Sequence, residues 1–326
     1  MKNIYKYILV YSLLILISCS GGGGGSSEDT SYQYHTPEDI DIFLDEIKLN
    51  YPHITSIETV GYSESGRMIK ALVISDNPGT LEGEPAVRLT GGIHGNEMMS
   101  VELLIRFIEY LTYNYSTNTE IKNLIDNRYI CIIPVLNPDG LANKSRYNKN
   151  GVDLNRNFDD ADNHWTSDSR SGSSPFSESE SKALRDFSII KNFNLSITYH
   201  TGAVLVNLPF DFGKEIEDVY PVQNDLIKSY AKTYTNAGGG VFLTNPDLYV
   251  SPYMSTDGWI NGGNWYVANG TLQDWSYTVT GCLDLTIEVA RRNPSTEAGV
   301  QQVFMYNRDS IVAYIERAGE NVFTGE

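Results

Sequence analysis

Apolar residues in this chain recur with two different periods. Ile40, Phe43, Leu44 and Ile47 fall at helical spacing behind Thr36-Pro37-Glu38-Asp39, which predicts a capped first helix. Ile54–Val60 and Ile69–Ile74 read as strands separated by a turn at Ser65-Gly66. The run Ala86-Val87-Arg88-Leu89-Thr90 predicts another strand, and Met98, Val101, Leu104, Ile105 and Ile108 mark the core side of the helix that follows. A strand at Tyr129–Val135 leads into long loops from Leu136 to Ser174. Ser177-Glu178-Ser179-Glu180 then predicts a capping box for a helix reaching Ile190. Ser196–His200 predicts a short buried strand, and a helix is expected near Val222–Tyr234. After a Gly/Asn/Tyr-rich loop region come the alternating strand Leu283–Val289 and a final amphipathic helix over about Glu297–Ile315. This alternation predicts an α/β fold: a mixed, largely parallel central sheet with helices on both faces and functional loops at one sheet edge.

Composition supports one large domain, since 41% of the 326 residues are hydrophobic. The first residues stand apart. Lys2 and Lys6 precede an apolar run from Ile8 to Ile17, too short to span a bilayer comfortably, which predicts a signal peptide over 1–18. Leu16-Ile17-Ser18-Cys19 resembles a bacterial lipobox, implying cleavage before Cys19 and lipidation of its thiol. Gly21–Gly25 with Ser26 and Ser27 then form a flexible tether, so 19–33 is read as a lipidated cysteine plus linker and 34–326 as the catalytic domain. The expected location is the bacterial cell envelope, with membrane contact through the lipid alone, or secretion if Cys19 is not lipidated. A net charge of -17 argues against nucleic-acid binding. Cys131 and Cys282 both sit in apolar runs and are expected as buried free thiols in preference to a disulfide, which an oxidising envelope leaves open.

Candidate chemistry begins at Gly91-Gly92-Ile93-His94-Gly95-Asn96-Glu97. An imidazole and a carboxylate three residues apart at the start of a helix supply two of the three protein ligands of a catalytic zinc. His200, ending its strand, offers a third, and Glu288 offers a further carboxylate from an alternating strand. Between them lie Asn137-Pro138-Asp139-Gly140 and Asp153-Leu154-Asn155-Arg156-Asn157-Phe158.

In that order, from about Tyr34 to the C-terminus, these blocks resemble the zinc carboxypeptidases of the carboxypeptidase A/B superfamily. The wording is closer to the regulatory branch (carboxypeptidases N, E, D and M) than to the pancreatic enzymes. The resemblance implies the same α/β architecture without the transthyretin-like domain of that branch. It implies one zinc per chain on His94, Glu97 and His200, Glu288 as general base, and Arg146 polarising the scissile carbonyl. Asn155 and Arg156 would clamp the C-terminal carboxylate of a peptide or protein substrate, with Tyr266 closing over it. Asp211 and Gln273 fall on the pocket positions that pair with C-terminal Lys or Arg. Asp139 and Asp153 would brace turns and second contacts, and His35, His53 and His164 take structural roles.

Three departures surround the pocket: Thr201 and Thr271 replace common glycines, and Leu208 replaces a common tyrosine. The function implied is hydrolysis of the last peptide bond, with a preference for C-terminal Arg or Lys. Two alternatives compete with it: a zinc amidase or deacylase acting on peptidoglycan stem peptides, and a non-catalytic peptide-binding lipoprotein on the same scaffold.

Overall fold

A computed structural model describes residues 31–239, 242, 247 and 251–325. The predicted signal segment, Cys19 and nearly all of the tether lie outside them. One compact unit spans Tyr32–Glu326.

Its first helix, α1 (Pro37–Asn50), opens with the predicted reciprocal cap. The Thr36 hydroxyl accepts from the Asp39 N–H, and the Asp39 carboxylate accepts from the Thr36 N–H. Ile40, Leu44 and Ile47 are buried, while Phe43 is only partly covered. After β1 (Thr55–Tyr62), β2 (Met68–Ile74) and β3 (Ala86–Thr90) comes α2 (Met98–Asn114), which buries Val101, Leu104, Ile105 and Ile108 as its periodicity predicts.

Next are α3 (Thr119–Asp126), β4 (Tyr129–Ile133), α4 (Pro138–Ala142), α5 (Ser179–Lys191), β5 (Leu195–His200) and β6 (Val204–Leu208). The described chain is completed by α6 (Asn224–Ala237), β7 (Trp259–Asn261), α7 (Gly262–Trp265), α8 (Leu272–Thr280), β8 (Leu283–Val289) and α9 (Glu297–Glu316). Six of these, α3, α4, β6, β7, α7 and α8, are short elements that the sequence patterns do not announce.

One predicted detail is corrected. The residue capping α5 is Glu178, and no side chain makes a capping bond there. Tertiary partners have taken the predicted box apart: the Ser177 hydroxyl donates to Glu178 and accepts from Asn157, while Glu180 accepts from the N–H of Glu64.

The eight strands run in the order β1-β2-β4-β3-β5-β8-β6-β7. Four of the seven pairings are parallel, and they include the central block β4-β3-β5-β8. Each strand of that block is buried along its whole length, as a sheet covered on both faces requires. Side chains alternate between two cores. Val87, Leu89, Ile130 and Ile132 join α1, α2, α6 and α9 on one face, while Ala86, Tyr129, Cys131 and Ile133 join α5 and α8 on the other. Cys131 and Cys282 are free and buried, and burial pushes both thiols well above their ordinary range. Among the described residues no helix is long and apolar enough to cross a membrane.

The second core holds a buried ion pair. Arg88 on β3 donates from Nη2 to Asp284 on β8 at 2.8 Å, to Ser196 on β5 at 3.1 Å and to Ser276 on α8 at 2.9 Å; Nη1 reaches Ser188 on α5 at 2.8 Å. Asp284 also accepts from Thr198. Arg88→Met leaves the Asp284 charge without its partner, so urea unfolding should show a loss of about 3–5 kcal/mol. A loss below about 1 kcal/mol would mean that the pair contributes little.

Candidate metal centre

Chain direction places the candidate residues. β3, β5 and β8 are parallel neighbours, so their carboxyl ends open on the same sheet edge, where ligands of such sheets bind. His200 ends β5 directly opposite Glu288 on β8. His94 and Glu97 follow β3 in the turn entering α2. That turn is buttressed by Asn137-Pro138-Asp139-Gly140: the Asn137 amide donates to the Ile93 carbonyl and accepts from the Gly140 N–H. Contact is so close that a Cβ on Gly95 would stand 1.9 Å from the Gly140 carbonyl carbon, hence glycine there.

Three donor groups converge. His94 Nδ1 lies 2.8 Å from Glu97 Oε1, His200 Nδ1 lies 3.0 Å from Glu97 Oε2, and the two Nδ1 atoms are 3.2 Å apart. Donors at zinc bond lengths in a tetrahedron stand about 3.3 Å from one another. His94, Glu97 and His200 are thus a buried group suited to one zinc. Two imidazole nitrogens facing each other across a carboxylate call for a cation between them. Arg146 shows the same pull, with Nη1 at 3.2 Å from His94 Nδ1 and 3.3 Å from Glu97 Oε1.

The surroundings orient these donors. Asp153 meets the outer nitrogen of His94, Nε2, at 2.9 Å, leaving Nδ1 to face the site. The same carboxylate accepts from Arg146 at 2.8 Å, so Asp153 makes the contact with a ligand expected of it. Burial works against charge on His94, but Glu97 and Asp153 outweigh it and raise the imidazole to about 9. His200 moves the other way, because burial there exceeds the pull of Glu97. Against its own burial, Glu97 is held well below the ordinary carboxylate range by the two histidines. Glu288 is pushed up, first by burial and then by the charge of Glu97. It accepts from the Ala203 N–H at 3.3 Å.

One cleft gathers these groups with Arg146, Asn155, Arg156, Asp211 and Tyr266. Asn155 is set by Asp153, whose carboxylate accepts its N–H, and by Leu272, whose N–H donates to its side-chain oxygen. The Arg156 guanidinium lies 5.9 Å from the centre of the Tyr266 ring, which is 47% exposed at the cleft mouth. Asp211 accepts from the Asn207 amide, and Thr271, in place of glycine, caps α8. Gln273 is buried beneath the cleft, its oxygen accepting from the Thr286 N–H, and does not line it. Leu208 is wholly in the core.

Sequence reasoning passed over two residues that pack against Asp211 without lining the cleft. Asp274, fully buried, accepts from the N–H groups of both Asp211 and Phe212. Gly262 leaves room for the Asp211 carboxylate, one oxygen of which would stand 1.9 Å from a Cβ at that position. Both matter only through contact with Asp211 from a distant segment of the chain, which no local pattern reveals. Asp160, Asp162 and His164 also bring ligand atoms together, but contacts within their own loop account for them.

Comparison with known proteins agrees with this geometry. A sequence profile of the family described as zinc carboxypeptidase matches residues 40–321. Human carboxypeptidase D is 32% identical over 89% of this chain, and the rat carboxypeptidase N catalytic chain is 30% identical over 90%. The chain spans 21% of the length of the former and 70% of the latter. Among solved structures, thrombin activatable fibrinolysis inhibitor superposes with a TM-score of 0.76 at 22% identity, over 89% of this chain and 75% of that one. Carboxypeptidase A from Helicoverpa armigera gives the same values. At that identity the structural likeness bears on the fold alone.

Proposed function

The chain belongs to the zinc carboxypeptidase family, and on that premise we propose that it removes the last residue from peptides or proteins, preferring C-terminal Arg or Lys. The observation that carries this reading is the convergence, in one cleft, of a three-donor zinc group, a buried carboxyl and two arginines. His94, Glu97 and His200 would hold the zinc, which would supply Lewis acidity toward a carbonyl and a water.

The chain's own groups do the rest. Glu288 accepts the proton of the attacking water on a carboxylate oxygen and passes it to the leaving amine, work worth about 10²–10⁴-fold. The Arg146 guanidinium, beside the donor group, would stabilise the charge that develops on the carbonyl oxygen. The fork of Arg156 suits a carboxylate through two parallel hydrogen bonds, with Asn155 beside it and Tyr266 covering the pair.

The preference for basic ends rests on Asp211. Burial raises its carboxyl above the ordinary range, and the Asp274 carboxylate lies just behind it against the Asp211 N–H. Two acids in so dry a place favour a cation, because a charge-assisted pair offsets the cost of burying a charge. We extend the proposal to an envelope location through lipid on Cys19; mass spectrometry of the mature amino terminus should find a diacylglyceryl-modified Cys19, and an unmodified or earlier terminus would refute it.

Glu288→Gln should lower kcat by at least about 100-fold while stoichiometric zinc is retained, since the base is lost and the shape kept. Near-normal kcat in that variant would remove Glu288 from the role. Specificity is tested with matched peptides ending in Arg, Lys, Phe, Leu and Glu. Wild-type kcat/KM should favour Arg and Lys by about 10-fold or more, and Asp211→Ala should erase the difference. Equal activity on Phe and Leu, or an unchanged preference in the variant, would sink the assignment. Cleavage of amidated peptides as fast as free acids would overturn the exopeptidase reading as a whole.

A further inference from the structure

A helix whose first side chain is committed elsewhere needs its cap from another part of the chain. Glu97 precedes the first turn of α2 in the N-cap position but makes no capping bond, and that turn contains no acidic residue. Its carboxylate faces His94, His200 and Arg146 and accepts from the Thr201 N–H at 3.0 Å. The exposed N–H groups of the helix start still need acceptors. One comes from the segment beyond β8: Asn293 Oδ1 accepts from the Met99 N–H at 2.9 Å. Asn293 Nδ2 donates to the Asn96 carbonyl at 2.8 Å. A single amide therefore grips the backbone on both sides of Glu97.

The segment carrying Asn293 is itself fixed. The Ala290 carbonyl accepts from the Gly202 N–H at 2.9 Å, just past His200. On the outer side the Tyr34 hydroxyl donates to the Pro294 carbonyl and the Tyr32 N–H donates to the Ser295 carbonyl, both at 2.7 Å. One short segment thus ties the strand that bears Glu288 to the chain after His200 and to the turn that bears Glu97.

We propose that Asn293 is a positioning residue for the zinc ligand Glu97, replacing the helix cap that Glu97 cannot make and fixing it relative to His200 and Glu288. This rests on the zinc reading of the site. Asn293 is part-exposed, so its truncation should leave the fold intact.

The test uses the zinc-loaded full chain and an apparent zinc dissociation constant from chelator competition. Asn293→Ala should weaken zinc on the order of 10-fold, as loss of a group supporting a ligand does. Its kcat should fall while KM stays within about twofold, and in metal-free protein the Met99 amide should exchange faster. Asn293→Asp keeps the acceptor for Met99 at a helix start but loses the donor to Asn96, so it should restore part of the zinc affinity. Thr296→Ala removes a different cap three residues on, that of α9, and should leave zinc binding unchanged. The inference is overturned if Asn293→Ala binds zinc within about twofold of wild type, if Asn293→Asp does no better than Asn293→Ala, or if Thr296→Ala weakens zinc equally. Wild-type protein that binds no stoichiometric zinc would instead overturn the reading of the site, and this inference with it.

Discussion

The parallel register between β5 and β8, which sets His200 beside Glu288, is the constraint on which the rest of the site depends. A slip of one residue would turn one of the two side chains to the opposite face of the sheet. Four residues earlier on each strand, the same register pairs Ser196 with Asp284, and on the other side of β5 Ser196 pairs with Arg88 of β3. The buried ion pair is therefore one rung across three strands. Its residues alternate in step with His200 and Glu288, so the charges that meet in the core and the groups that meet at the cleft obey the same alignment. A buried ion pair is an uncertain source of net stability, but a wrong register would strand its charges, and that penalty selects the right one.

Within the cleft, the protein separates its carboxyl groups by environment. Glu97 and Asp153 are embraced by histidines and Arg146 and stay ionised despite burial. Glu288 has one backbone N–H and the repulsion of Glu97, and is driven toward its neutral form. Carboxyls pushed apart in this way are suited to different tasks, one to holding a cation and the other to exchanging protons.

Much of this could be read from the chain because the parts were local. The imidazole and carboxylate three residues apart, the histidine ending a buried strand and the alternating strand around Glu288 each carry their signal within a few residues. What escaped was made by contacts between distant segments. Nothing near Ser177 reveals that Asn157 and Glu64 will dismantle its capping box, and nothing near Asn293 reveals the helix start almost two hundred residues earlier. The strand β7 hid for another reason: at three residues it is too short to display a period. α8 was hidden because both its faces are largely buried, which blurs any amphipathic stripe.

The residues ahead of α1 are joined to the domain by more than covalent continuity. Tyr32 and His35 both bond to Glu102, a carboxylate 1% exposed on α2, and the Tyr32 ring lies under the Arg106 guanidinium. Together with the bonds to Pro294 and Ser295, this makes a seam stitched along two elements that flank the cleft. Mechanical tension entering the chain from before Tyr32 would load this seam in shear before it reached α1, and the same seam braces the segment that carries Asn293. A chain cut back into the seam would also bare the Glu102 carboxylate inside the fold, so the compact unit needs its residues from Tyr32 onward.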